Sequence, residues 1–217
     1  MKVEAVALGA VGGGNDARAR YSSVAVTLHW LIAALILLNF ALAWRFVGHH
    51  TPGMSELVQL HKSVGICVLL LSLVRLGWRL AHRPPPLAGP ASPLLKGAAH
   101  IVHWCLYGYM ILAPLSGWLM VSVGVKSRPV RLFNLFPWPN VFGLHELPLP
   151  VRKQLEGAFL LTHIDLAYIA YGLLFLHLGG VLKHQFLDRD QTLWRMAPFL
   201  RHPIRPYSQL GVVKPGE

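Results

Sequence analysis

Two histidines fourteen residues apart, His163 and His177, lie in the apolar run LTHIDLAYIAYGLLFLHLGGVLKH between Leu161 and His184. At about 100° and 1.5 Å per residue, fourteen steps turn a helical side chain to within about 40° of its first direction, roughly 21 Å along the axis. The run is long and apolar enough to cross a bilayer, so one helix presents an imidazole near each side of a membrane, on one face. Ionisable groups inside a span are costly and mark functional sites by default. One such histidine is equally at home in a helical core, bonded to a backbone carbonyl. Matching histidines in other apolar runs weigh against that: His29 in Val24 to Trp44 and His61 in Leu57 to Leu80.

These residues need a membrane frame to position them. Of the 217 residues, 54% are hydrophobic and 13% charged, which is too apolar for an ordinary soluble domain. Four runs are long enough to span: Val24 to Trp44, Leu57 to Leu80, Gly97 to Val125 and Gly157 to Lys183. They predict an all-α membrane protein, a four-transmembrane-helix bundle. Residues 1–20 read as a disordered leader with no cleavage pattern, residues 21–197 as the transmembrane domain and residues 198–217 as a polar tail. Pro114 and Gly117 predict a kink in the third span. The connection 126–156 is rich in Phe, Trp and Leu and is expected to lie on the membrane surface over the bundle mouth.

Twenty basic against nine acidic residues give a formal charge of +11. The positive residues flank apolar runs instead of lining one polar face, so they read as a topology signal, with no nucleic-acid partner. Lys2, Arg18 and Arg20 in the leader, Arg79, Arg83 and Lys96 around the second connection, and Lys183, Arg189, Arg195, Arg201, Arg205 and Lys214 in the tail share one side. The first connection has only Arg45, while the third carries Lys126, Arg128, Arg131, Arg152 and Lys153. On balance both termini are cytoplasmic. Cys67 and Cys105 fall in apolar runs, and no C-x-x-C-H motif for covalent haem attachment exists.

That topology pairs the histidines by depth: His61 with His163 on the outer side, His29 with His177 on the inner side. Helical bundles build cofactor sites from such inward-facing groups on different helices. Two imidazoles fill both axial positions of an iron porphyrin, which suits electron transfer; zinc wants about four converging ligands. His103, early in the third span, competes with His29 for the place opposite His177. Arg75, fourteen residues after His61 and so on its face, either meets a haem propionate or snorkels to the inner interface with Arg79. Gly65, Gly172, Gly179 and Gly180 either make room for a flat macrocycle or serve close helix packing. His49, His50, His82, His145, His184 and His202 fall in connections or at interfaces.

The segments TLHWLIAALILLNFALAW, LHKSVGICVLLLSLVRLGWR, LAPLSGWLM and LHLGGVLKHQFLDRD resemble the bacterial cytochrome b561 family of diheme membrane electron carriers, over about residues 20 to 197. The resemblance implies four helices in the inner membrane, two b haems, and iron ligands at His29 and His177 (inner) and His61 and His163 (outer). Where the family often has an acidic residue directly after the fourth-helix histidine, Ile164 intervenes and Asp165 follows. A carrier of this kind moves electrons between a small periplasmic redox partner and the quinone pool. Ubiquinone is the natural membrane acceptor, with Lys183, His184 and Asp188 available for proton work or serving only as a topology flank. The basic third connection suits a small anion such as superoxide; quinol oxidation in the opposite direction uses the same wiring. Two other classes remain: a membrane anchor subunit of a larger dehydrogenase or hydrogenase, and a metal-ion transporter, against which the lack of paired intramembrane carboxylates argues.

Overall fold

The computed structural model describes residues 21–47, 53–82, 85, 92–125, 129–188 and 192–197. The leader 1–20, the tail 198–217, and His49, His50, Arg83, Lys126, Arg128 and Arg189 lie outside the described residues. Four helices dominate: α1 (Ser23–Phe46), α2 (Met54–Ala81), α3 (Pro93–Val123) and α4 (Leu149–Leu182), each long and apolar enough to cross a membrane. Between α3 and α4 a short antiparallel hairpin pairs β1 (Arg131–Leu132) with β2 (Phe136–Pro137). A π-helical stretch, Lys183–Asp188, continues α4, and a short helix α5 (Thr192–Met196) follows.

The helix starts are written locally. Ser22 caps α1 by accepting the Ala25 amide at 3.2 Å; Ser92 does the same for α3 toward Leu95, with Pro93 in the first turn. α4 starts at Leu149, eight residues before the expected Gly157. Pro148 and Pro150 read as a connection, yet proline is tolerated in a first helical turn, where its missing N–H has no partner to lose. Pro114 sits inside α3, as expected.

Sequential antiparallel packing joins α1 to α2, α2 to α3 and α3 to α4. Ile32, Ile36 and Leu42 of α1 meet Val64 and Val68 of α2 and Tyr107 and Met110 of α3 in the core. Outward-facing Leu37, Leu73, Val74, Ile101, Leu112, Ile169 and Phe175 are exposed, the surface a hydrocarbon solvent requires. α4 packs mainly along α3; among its residues only Ala170 is buried. Toward α1 it presents Tyr171, whose ring lies 5.0 Å from that of Phe40 of α1, with a histidine pair on either side of them.

The bundle thus has two poles. At the terminal pole lie the start of α1, the end of α2, the start of α3 and the end of α4. At the hairpin pole the 129–148 segment is fastened to the bundle by buried serines. Ser63 Oγ of α2 lies 2.9 Å from the Gln59 carbonyl and 3.2 Å from that of Arg131, and accepts the Phe133 amide at 2.9 Å. Ser122 Oγ of α3 donates to the Trp118 carbonyl and accepts the Val141 amide at 3.0 Å. Ile66, Val121 and Val130 form a second small core beneath. The connection therefore packs over the bundle mouth, while its tip leaves Phe133, Leu135 and Phe136 exposed.

Candidate functional site

α4 carries His163 and His177 on the face turned to α1 and α2. At the hairpin pole, His163 meets His61 of α2, ring centres 6.1 Å apart and planes at 83°. At the terminal pole, His177 meets His29 of α1 at 6.2 Å and 65°. All four rings are half-buried. The depth pairing read from the helix period is therefore the pairing in space. Metal–imidazole bonds of about 2.0 Å, with about 1.1 Å from ring nitrogen to ring centre, put two rings trans across a metal about 6.2 Å apart. Both pairs have that spacing. Gly172 and Gly179 are exposed, and a Cβ on either would meet nothing within 4 Å. The donor set and the spacing fit a porphyrin iron held by two imidazoles.

The matching sequence pattern decides the family. Residues 20–199 match the pattern of prokaryotic cytochrome b561. The chain belongs to that family. It is a multi-pass membrane electron carrier of a b-type haem family. It is 30% identical over 179 residues to cytochrome b561 homolog 2 of Escherichia coli (strain K12), covering 82% of this chain and 90% of that one. It is 28% identical to the probable superoxide oxidase CybB of Yersinia pestis, with 82% and 96% covered. Cytochrome b561 homolog 1 of Escherichia coli is 27% identical, with 82% and 97% covered.

Within this cytochrome b561 frame the surroundings of the two pairs differ. His163 Nδ1 lies 2.9 Å from the Ala113 carbonyl and 3.1 Å from Ser116 Oγ, both on α3. His61 Nδ1 lies 3.2 Å from the Asn39 carbonyl of α1. A carbonyl only accepts, so in both rings Nδ1 carries the proton and Nε2 is the bare nitrogen. Such partners fix the tautomer and aim the ring. Asp165, two residues beyond the histidine, is exposed, and His163 takes its hydrogen-bond partners from α3 instead. Gly117 leaves the room His163 needs, since a Cβ there would lie 3.1 Å from its Cε1. Ser116 and Gly117 belong to the LAPLSGWLM segment, but what they touch was not legible without the α3–α4 contact.

At the terminal pole Arg75 Nη1 lies 2.9 Å from His29 Nδ1. The guanidinium only donates, so His29 Nδ1 accepts. Arg75 and Arg79 flank the Tyr107 ring at 5.6 and 5.5 Å, and Arg79 also lies 5.7 Å from the Trp104 ring. Among the described residues neither is paired with a carboxylate. His103 lies 5.6 Å from His177, so the competitor for His29 is at the same site. Near the end of α4, Asp188 accepts from Lys183 Nζ at 2.6 and 2.8 Å and lies 3.2 Å from His184 Nδ1. The three residues considered for proton work are therefore one cluster.

Of the basic third connection, Arg131 and Lys153 are exposed. Arg152 is otherwise engaged: its Nε and Nη2 donate to the Val123 and Gly124 carbonyls at 2.9 and 2.7 Å, closing the C-terminus of α3. Its charge belongs to the local field, but its donors are committed.

Proposed function

We propose that the chain is a transmembrane carrier with two b haems, moving electrons from superoxide on the periplasmic side to ubiquinone in the bacterial inner membrane. His61 and His163 would hold the iron at the hairpin pole, and His29 and His177 the iron at the terminal pole, with both termini cytoplasmic. The observation that carries this reading is the pair of 6.1 and 6.2 Å ring separations, fourteen residues apart along α4. Two imidazoles per iron would leave no place for a further ligand, and the group so held would supply one-electron transfer.

The chain's own residues do the rest. Carbonyls of Asn39 and Ala113 keep the His61 and His163 protons on Nδ1, leaving Nε2 to the metal. The apolar walls of α1 to α4 exclude water and competing ligands. Arg75, with N–H donors beyond the one on His29, would hold a propionate of the terminal-pole haem. Arg131, Arg152 and Lys153, on the side where the positive-inside rule expects few cations, raise the local concentration of a small anion. At the other end, Lys183, His184 and Asp188 form a hydrogen-bonded group suited to proton delivery. The balance is two superoxide to two dioxygen, with the two electrons and two protons converting one quinone to quinol.

The test uses purified holoprotein and ubiquinone under a steady supply of superoxide. Quinol formation that slows as ionic strength rises through the screening range supports the reading. No quinol at any salt concentration sinks the superoxide and quinone assignment.

A further inference from the structure

We infer that the β1–β2 hairpin is a membrane wedge: it runs down the outer flank of α2 to the level of the hairpin-pole histidines and seats Phe133, Leu135 and Phe136 among the acyl chains of the outer leaflet. This rests on the topology of the reading above and on none of its haem or quinone assignments.

Two side chains of α2 set the depth. Gln59 Nε2 donates to the Pro129 carbonyl at 3.0 Å, and Ser63 Oγ accepts the Phe133 amide at 2.9 Å. Four residues of helix separate Gln59 from Ser63, so the chain descends about 6 Å between Pro129 and Phe133. α2 runs from this pole toward the other, which puts Ser63 about 3 Å deeper than His61. Gln59 and Ser63 each lie two residues from His61, hence about 200° round the helix from it. The hairpin therefore lies on the side of α2 turned away from the histidine pair, outside the bundle. The two histidine levels are roughly 21 Å apart and the hydrocarbon is about 30 Å thick, so a centred bilayer core ends about 4.5 Å beyond His61. Lys62, and exposed Asp165 on α4 at a similar depth, mark that level as the margin of the hydrocarbon instead of its middle. The hairpin tip thus lies just beneath the headgroups, where interfacial segments bury apolar side chains.

The tip is built for that depth. Phe133, Leu135 and Phe136 are 47%, 76% and 51% exposed, with the exposed cation Arg131 beside them for lipid phosphates. Three successive amides at the tip all have acceptors: Phe133 on Ser63 Oγ, Asn134 on the Arg131 carbonyl and Leu135 on the Leu132 carbonyl. Water would serve such amides in an ordinary loop; near hydrocarbon the protein must. Phe133 and Asn134 have φ of 48° and 61°. Asparagine takes that left-handed geometry readily, but a bulky residue there is an outlier. Turn chemistry favours glycine at the position, so the phenyl ring is kept for what it touches outside the chain. A water-borne partner does not reach beneath the headgroups. A second copy of the chain does, and the experiment separates the two.

Holoprotein carrying Cys67→Ala and Cys105→Ala is placed in proteoliposomes at high lipid-to-protein ratio and treated with a charged maleimide. Leu135→Cys, Phe142→Cys and Lys153→Cys are compared; Leu135 and Phe142 are 76% and 96% exposed, so neither change enters the core. Phe142 follows Val141, whose amide is held by Ser122, five residues and so about 7.5 Å outward from Gly117 beside His163. Thiol attack needs a thiolate in water, so Leu135→Cys should react about tenfold more slowly than the other two. Phosphatidylcholine with a diazirine on its acyl chain, photolysed with the wild-type chain, should mark residues 133–136. Leu135→Cys reacting as fast as Phe142→Cys, or an absence of lipid adducts at 133–136, overturns the wedge. Disulfide-linked dimers of Leu135→Cys at that dilution overturn it in favour of a second copy. Lys153→Cys that resists the reagent in spheroplasts, yet reacts once they are lysed, overturns the topology and the leaflet named here, while the ratio between positions 135 and 142 still judges the wedge.

Discussion

Gly117→Ala tests how tightly the hairpin-pole site is built. A Cβ at position 117 would stand 3.1 Å from Cε1, 3.3 Å from Nδ1 and 3.8 Å from Nε2 of His163. Ordinary contact begins near 3.4 Å, so the ring must withdraw by about 0.3 Å or α3 must move away from α4. Neither is easy. His163 is held by the Ala113 carbonyl and Ser116 Oγ, and α3 is the helix α4 packs on. Metal–ligand distances tolerate about 0.2 Å, so the shift exceeds what an axial bond absorbs. Loss of a supporting contact of this kind costs about 10–100-fold in metal-site affinity. Purified Gly117→Ala should therefore lose the hairpin-pole haem on dilution or gel filtration while keeping the other, as a pyridine haemochrome assay reads directly. Gly108→Ala is the control, since its Cβ would meet nothing within 4 Å. Retention of both haems at wild-type level by Gly117→Ala, with an unchanged spectrum, would refute the argument that His163 is fixed in place as a ligand.

Three further changes probe the frame. Ser63→Ala removes the acceptor of the Phe133 amide and a buried hydroxyl at once; a destabilisation of about 1–3 kcal/mol is expected, read as a lower midpoint for thermal loss of haem absorbance in detergent. Arg152→Met takes two donors from the end of α3. Bonds to a charged group contribute about 1.5–3 kcal/mol, and the lower end applies to a half-exposed side chain; the same melt should fall, and Lys153→Met should leave it unmoved. Trp30→Phe removes the indole donor to the Met196 carbonyl, 2.6 Å away. It should release α5 at a cost of about 1 kcal/mol, seen as faster proteolysis after residue 188 with both haems retained.

What the sequence reveals here follows from what helix periodicity encodes. Four spans are legible because crossing hydrocarbon demands about 20 apolar residues in a row, and the pairings His61–His163 and His29–His177 because fourteen residues is close to four turns. The early start of α4 is hidden, since Leu149–Leu182 opens on prolines that a first turn accepts but a reader takes for a loop. Arg152 is counted with the surface charge, because capping depends on where the end of α3 falls in space. Ser116, Gly117 and the carbonyls of Ala113 and Asn39 escape for a related reason. Their role exists only across a helix interface, and a backbone carbonyl has no letter in a sequence. Arg75 is found as an unusual intramembrane cation, but its contact with His29 Nδ1 is not, because that needs the α1–α2 rotation.

The central claim is that four histidines on three helices hold two irons, one at each pole. Haem stoichiometry measures it directly, in the wild-type chain and in His29→Ala, His61→Ala, His163→Ala and His177→Ala, with His103→Ala alongside. The account expects two b haems per chain in the wild type, one in each of the four variants and two in His103→Ala. A wild-type chain with fewer than two, or a His29→Ala variant that keeps both while His103→Ala loses one, would contradict it.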